Sequence, residues 1–215
     1  MGLKGDGIWS MLYLAGYLTT EDTALPNNTR VPRRLRIPNR EIAELYRSEV
    51  VERFAGVAGG QSRLAALHDA VVGGNAAVLG EELARILRDS ASAFDLTSEN
   101  GVHMLLLGLL VGMPGYGDPL SNREHGGGRP DIRIEPESSP FAWGPRPLVT
   151  IEVKFARDAS DEELLALARS ALAQIAEKGY DKGPLPAEAA GRVRWGVAVS
   201  GKRAAVVSER PGEKD

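Results

Sequence analysis

Asp131, preceded by Pro130, is followed after an interval of twenty residues by Glu152-Val153-Lys154, which lies inside the apolar stretch Leu148-Val149-Thr150-Ile151-Glu152-Val153-Lys154-Phe155. Charged side chains in a short apolar β-run are costly to bury unless they are paired or bind a cation, so this triplet needs a reason to exist. Side chains alternate along a strand, which puts Glu152 and Lys154 on one face and Ile151, Val153 and Phe155 on the other. If the Asp131 strand lies alongside, two carboxylates and one ammonium converge. Phosphodiester hydrolysis uses that set: oxygen ligands for Mg²⁺ or Mn²⁺, a metal that polarises the phosphate and acidifies a water, and a cation that steadies the developing charge. Asp131 and Glu152 are the candidate metal ligands, and Lys154 is the candidate oxyanion partner. The triplet alone is a common one; Pro130-Asp131 at this distance makes it more specific.

Several elements must position these groups. Leu148–Phe155 reads as a strand, with further strands expected near Gly117–Arg123, Asp131–Glu135, Val193–Ser200 and Ala204–Ser208, where short apolar runs are split by Gly and Pro. A helix is expected over Ser160–Gly179, with Ser160 as N-cap, Asp161, Glu162 and Glu163 in its first turn, and a stripe that includes Leu164, Ala168, Ala171 and Ile175. A buried helix over about Ser98–Val111 precedes the first of these strands. Before it, helical spacing marks Arg40–Phe54, Gln61–Val72 and Asn75–Ala93, the first and last capped by Asn39 and Asn75. Ile8–Leu18 reads as a short helix, followed by an extended arm punctuated by Pro26, Pro32 and Pro38. The expected class is α/β, a central mixed sheet flanked by helices, with a helical N-terminal extension (1–94) packed on a core (95–208) and a disordered tail (209–215).

Composition narrows the chemistry. The 215 residues include no cysteine, which removes disulfides, thiol nucleophiles and thiolate metal sites and leaves oxygen ligands favoured. Hydrophobic residues make up 43% and charged residues 26%, the balance of a soluble globular protein. The longest apolar run, Met104–Met113, is too short to span a bilayer, and the N-terminus lacks the features of a signal peptide, so the expectation is a cytoplasmic protein with no membrane partner. A net charge of −3 does not advertise nucleic-acid binding, so such a site must be a local basic patch.

The Pro130-Asp131 … Glu152-Val153-Lys154 pattern, with Glu99 on the helix before the first strand and a helix after the third, resembles the PD-(D/E)XK nuclease superfamily. More narrowly, Ile8–Thr19, Ile37–Ile42, Gly126–Ile132 and Gly196–Lys202 resemble bacterial proteins that join an AAA-ATPase-like domain to a C-terminal nuclease-like domain. The resemblance covers most of the chain. It implies a restriction-endonuclease-like core and a Mg²⁺-dependent deoxyribonuclease that cuts by metal-activated water. It also implies that Glu99 supports the metal, and that Gln174 and Tyr180 match the Gln and Tyr that follow the active strand. The sequence has no G-x-x-x-x-G-K-S/T loop, so the expectation is either a partner ATPase module absent from this chain or a stand-alone relative.

Other residues allow plainer readings. Glu99 is also what the macrodipole favours at a helix N-terminus, and Gln174 can be a polar residue at a helix edge. Tyr180, a candidate nucleic-acid contact alongside Arg123, Arg129 and Arg157, can also simply close the core after Gly179. Arg123, Arg129, Arg133 and Arg157 flank the candidate site and suit phosphate contacts, while Arg30, Arg33, Arg34, Arg36 and Arg40 crowd the extended arm, where a solvated surface accounts for them equally well. His103, one turn after Glu99, either orients that carboxylate or is a satisfied core histidine. His68 reads as structural and His125 as a loop residue in a hairpin turn. Three histidines without H-E-x-x-H spacing argue against a zinc hydrolase. Two other functions are compatible with the same residues: a catalytically inactive module that holds nucleic acid or a protein, and an assembly domain of an AAA-ATPase-like protein; a homo-oligomer is a further possible partner state.

Overall fold

The computed structural model describes residues 5–21, 34–90, 98–121, 130–138 and 146–212. They fall into two compact units, Met1–Glu49 and Val50–Asp215. Among the described residues no helix is long and apolar enough to cross a membrane.

The first unit holds α1 (Gly5–Leu14), the two-residue strands β1 (Thr19–Thr20) and β2 (Leu35–Arg36), and the start of α2 (Arg40–Ala58). Asn39 caps α2, its Oδ1 accepting from the Ile42 amide at 2.9 Å. β1 and β2 pair antiparallel, Thr19 opposite Arg36. The Tyr17 ring meets Tyr46 edge-on at 6.4 Å between centroids. The two described ends of the expected arm, Thr19–Thr20 and Leu35–Arg36, therefore pair with each other, a contact that polar residues without periodicity do not announce. Arg30 and Arg33 of that arm lie outside the described residues.

In the second unit, α3 (Gln61–Gly73), α4 (Ala76–Ser90) and α5 (Glu99–Leu110) precede β3 (Leu120–Ser121), β4 (Ile132–Ile134) and β5 (Leu148–Phe155); α6 (Asp161–Lys178) then leads to β6 (Arg192–Ser200) and β7 (Arg203–Glu209). The strands form one mixed sheet in the order β3-β4-β5-β6-β7. Only β5 and β6 run parallel, as the intervening helix requires. Val149, Ile151 and Val153 of β5, with Val193, Trp195, Val197 and Val199 of β6, share one core with α3, α4 and α5. Trp195 is wholly buried there, its indole N–H donating to the Val71 carbonyl at 3.2 Å. The opposite face packs on α6, where Leu164 and Ala168 meet Ala198, Ala205 and Val207. The unit is thus an α/β arrangement with helices on both faces of a mixed sheet, which is the expected coarse class.

Local chemistry sets the ends of α6. Ser160 Oγ accepts from the Glu163 amide while Glu163 returns a bond to the Ser160 amide, a complete capping box. Gly179 closes the helix at φ 65°, a left-handed conformation that suits glycine, and donates to the Ile175 carbonyl. The helix lies unusually close to the sheet. A Cβ on Gly196 of β6 would sit 2.0 Å from the Ala168 carbonyl oxygen and 2.7 Å from the Leu172 amide nitrogen, so only glycine fits beneath α6 there.

Two strands start later than expected. β3 begins at Leu120 rather than Gly117, with residues 122–123 of its expected span outside those described, and Asp131 stands just before β4 rather than in it. The reason at Asp131 is chemical: its side-chain Oδ2, not a backbone carbonyl, accepts the Val153 N–H at 2.8 Å, so the ladder ends where the carboxylate takes over. The expected boundary at residue 94 falls among residues 91–97, outside those described. Glu209 of the expected tail is the last residue of β7, and Arg210–Gly212 follow it.

Candidate active site

β4 and β5 are registered so that Ile132 opposes Ile151 and Arg133 opposes Thr150. Continuing that antiparallel register by one residue sets Asp131 opposite Glu152. Glu152 in turn neighbours Gly196 across the parallel pairing, and Lys154 neighbours Ala198. Strand alternation places Asp131, Glu152 and Lys154 on the face covered by α6. The close approach of that helix at Gly196 brings Gln174 onto Glu152.

Glu152 is only 3% exposed. Its two oxygens have different surroundings. Oε1 accepts from Lys154 Nζ at 3.4 Å and from the Gln174 side-chain amide, and that same amide lies 3.1 Å from the Tyr180 hydroxyl. Oε2 is buried and has no hydrogen-bond partner among the described residues. Burial pushes the Glu152 carboxyl up to about 7, and the neighbouring Asp131 carboxylate pushes the same way; Lys154 and the Asp131 backbone amide pull it back in part. A buried carboxylate beside a second carboxylate, with one orphaned oxygen, is an arrangement that a hard divalent cation would relieve.

Asp131 is held from both ends. Its carboxylate is fixed by the Val153 amide, and its backbone carbonyl lies 2.9 Å from His103 Nε2. A carbonyl can only accept, so that nitrogen carries the proton; Ser121 Oγ lies 3.2 Å from the same atom. His103 therefore orients Asp131 and does not serve Glu99. Glu99 itself is exposed in the first turn of α5, behind its Ser98 N-cap. Among the described residues no three of His, Asp and Glu gather into a metal-holding group, so the expected third ligand is not brought to the pair. The macrodipole reading of Glu99 suffices.

The remaining expected residues divide. Gln174 and Tyr180 are both at the site, but Tyr180 is buried with its hydroxyl turned to Gln174. It braces Glu152 from behind and does not present a ring to nucleic acid. Arg157 is exposed just beyond the end of β5. Arg133 is buried, its Nε donating to Glu135 at 2.7 Å, and so is not a phosphate contact. Arg123, Arg129 and His125 lie outside the described residues. His68 is structural as expected: its Nε2 sits 2.8 Å from the Leu109 carbonyl, and burial lowers its pKa.

Two features escaped the sequence reading. Asp181, 2% exposed, grips Arg194 of β6 through bonds of 2.8 and 3.0 Å, and Arg194 also reaches Glu209 at 3.3 Å. Arg194 alternating with apolar neighbours in Arg192-Val193-Arg194-Trp195 was the available signal, but nothing named its partner. Thr150, fully buried two residues before Glu152, carries a hydroxyl without a hydrogen-bond partner among the described residues. No protein-family model, curated protein or solved structure matches the chain.

Proposed function

We propose that the chain is a metal-dependent nuclease with a restriction-endonuclease-like core, hydrolysing phosphodiester bonds of DNA. The observation that carries the reading is the buried Glu152 carboxylate with an orphaned Oε2, set opposite Asp131 and hydrogen-bonded through its other oxygen to Lys154 and Gln174. The sheet order, with α6 crossing from β5 to a parallel β6, suits that core.

Asp131 and Glu152 would hold Mg²⁺ or Mn²⁺, which when bound polarises the scissile phosphate and supplies a water of lowered pKa. The chain's own groups do the rest. The Val153 amide and His103 fix Asp131 from either side, so the carboxylate needs little reorganisation to bind. Lys154 keeps its ammonium on the face of the sheet that carries both acids, 27% exposed at the side chain, where it can turn from Glu152 to a developing phosphate charge. Gln174 holds Glu152 Oε1 and leaves Oε2 for the cation. Arg157, exposed just beyond the strand, would meet backbone phosphates. Glu99 is outside this ligand set.

The test is cleavage of supercoiled plasmid, linear duplex, single-stranded DNA and RNA with Mg²⁺, Mn²⁺ or EDTA, comparing wild type with Lys154→Ala and Glu152→Gln. Metal-dependent cutting that both substitutions abolish is expected. Cutting that survives both would sink the reading, and binding without cutting would favour a module that holds nucleic acid.

A further inference from the structure

We propose that Thr150 is a positioning residue for Glu152, acting through a buried water held between Thr150 Oγ1 and Glu152 Oε2. These two are the buried side-chain polar atoms left without a hydrogen-bond partner among the described residues. They belong to the same face of the same strand, two positions apart. Buried polar atoms are almost always satisfied, and a water is the usual partner when protein supplies none.

Geometry allows it. Residues two apart on a strand have Cα atoms roughly 7 Å apart, and one water making two ordinary hydrogen bonds joins oxygens up to about 5.6 Å apart, so the bridge closes once the longer Glu152 side chain leans roughly 1.4 Å toward Thr150. The surroundings explain why no side chain does the job. In register, Thr150 lies between Arg133 on β4 and Arg194 on β6. Arg133 turns its Nε to Glu135, and Arg194 is engaged by Asp181 and Glu209. The other Glu152 oxygen is already occupied by Lys154 and Gln174. Valine has nearly the shape of threonine and would fill the same space without an unpaired hydroxyl, so the hydroxyl is informative. With Oε1 tied to α6 and one lone pair of Oε2 tied through water to Thr150, the carboxylate plane is fixed and the second lone pair of Oε2 is presented to the cation in one orientation.

The consequence for cation binding rests on the nuclease reading; the water bridge itself does not. The experiment is crystal structures of metal-free wild type, Thr150→Ser and Thr150→Val at a resolution that orders internal waters, with Mn²⁺ titration calorimetry and thermal melts of each. Wild type and Thr150→Ser are expected to hold a water within hydrogen-bond distance of both atoms. Thr150→Val is expected to lose it, to leave the Glu152 carboxylate rotated, and to bind Mn²⁺ about tenfold more weakly while melting no lower than wild type. A purely structural hydroxyl would not weaken the metal while sparing the melt. The proposal is overturned if wild type shows Thr150 Oγ1 bonded to a protein atom with no water, or if Glu152 keeps its orientation and Mn²⁺ affinity in Thr150→Val. A wild type that binds no Mn²⁺ yet shows the water, with Glu152 rotated in Thr150→Val, supports the bridge and overturns the metal reading instead.

Discussion

Asp131 Oδ2 accepts the backbone N–H of Val153 at 2.8 Å, so one acid of the site is hydrogen-bonded to the strand that carries the other. The bond does two jobs. It ends the β4–β5 ladder, and it holds two carboxylates within electrostatic reach of each other, which contributes to the raised pKa of Glu152.

That pKa fixes a pH dependence. With the folded value pushed up to about 7, the native protein binds a proton that the unfolded chain has already released above the ordinary carboxylate range. Stability from this group is therefore fully present below the unfolded value, falls as pH rises to about 7, and is flat beyond. Metal-free Glu152→Gln is expected to lose this slope and to exceed wild type at pH 8 by a few kcal/mol, since each tenfold change in proton affinity is worth about 1.4 kcal/mol. Denaturant melts of both proteins from pH 5 to 8 check it; parallel curves would refute it.

Gln174→Leu removes the donor to Glu152 Oε1 while keeping helix propensity. Its metal-dependent cleavage rate is expected to drop roughly 10- to 100-fold, as for other groups that orient a metal ligand. Tyr180→Phe, which removes only the hydroxyl beside Gln174, should cost less. A Tyr180→Phe defect as large as that of Gln174→Leu would contradict the arrangement.

Gly196→Ala forces a methyl against the backbone of α6, at a site where neither side can yield by rotating a side chain. Destabilisation of about 1–3 kcal/mol or more is expected, read as a lower denaturant midpoint at unchanged slope. Because α6 also carries Gln174, Mn²⁺ binding should weaken as well. A midpoint equal to wild type would show that the helix shifts freely.

Asp181→Ala strands Arg194, whose side chain is 13% exposed and, among the described residues, keeps only Glu209. A loss of about 3–5 kcal/mol is expected, with most of it regained in Asp181→Ala/Arg194→Met, since breaking a buried pair costs more than replacing it. Urea melts of the three proteins decide between this and a merely superficial pair, which would cost under about 1 kcal/mol.

The long, periodic elements could be read in advance. The stripe and cap of α6, the Asn39 and Asn75 caps and the apolar run of β5 all carry local signals, and the structure has each of them. Asp131, Glu152 and Lys154 could be read as one group because strand alternation alone aligns the last two. What stayed hidden depends on distant partners. Nothing near Asp181 in sequence points to Arg194, Thr150 looks like any β-branched strand residue, and Arg133 gives no sign that Glu135 and burial keep it from solvent. Glu99 is ambiguous for the opposite reason: a first-turn glutamate satisfies the helix whether or not a site lies beyond it.

The central position of β5 also implies an order of events on heating. Glu152 and Lys154 lie on a strand hydrogen-bonded to neighbours on both sides, whereas Asp131 sits just outside the three-residue β4. Amide exchange on β5 should require global unfolding, while the short β4 can open on its own at lower free energy. The two halves of the acidic pair would then part company while the molecule is still folded, and activity would fade below the melting temperature.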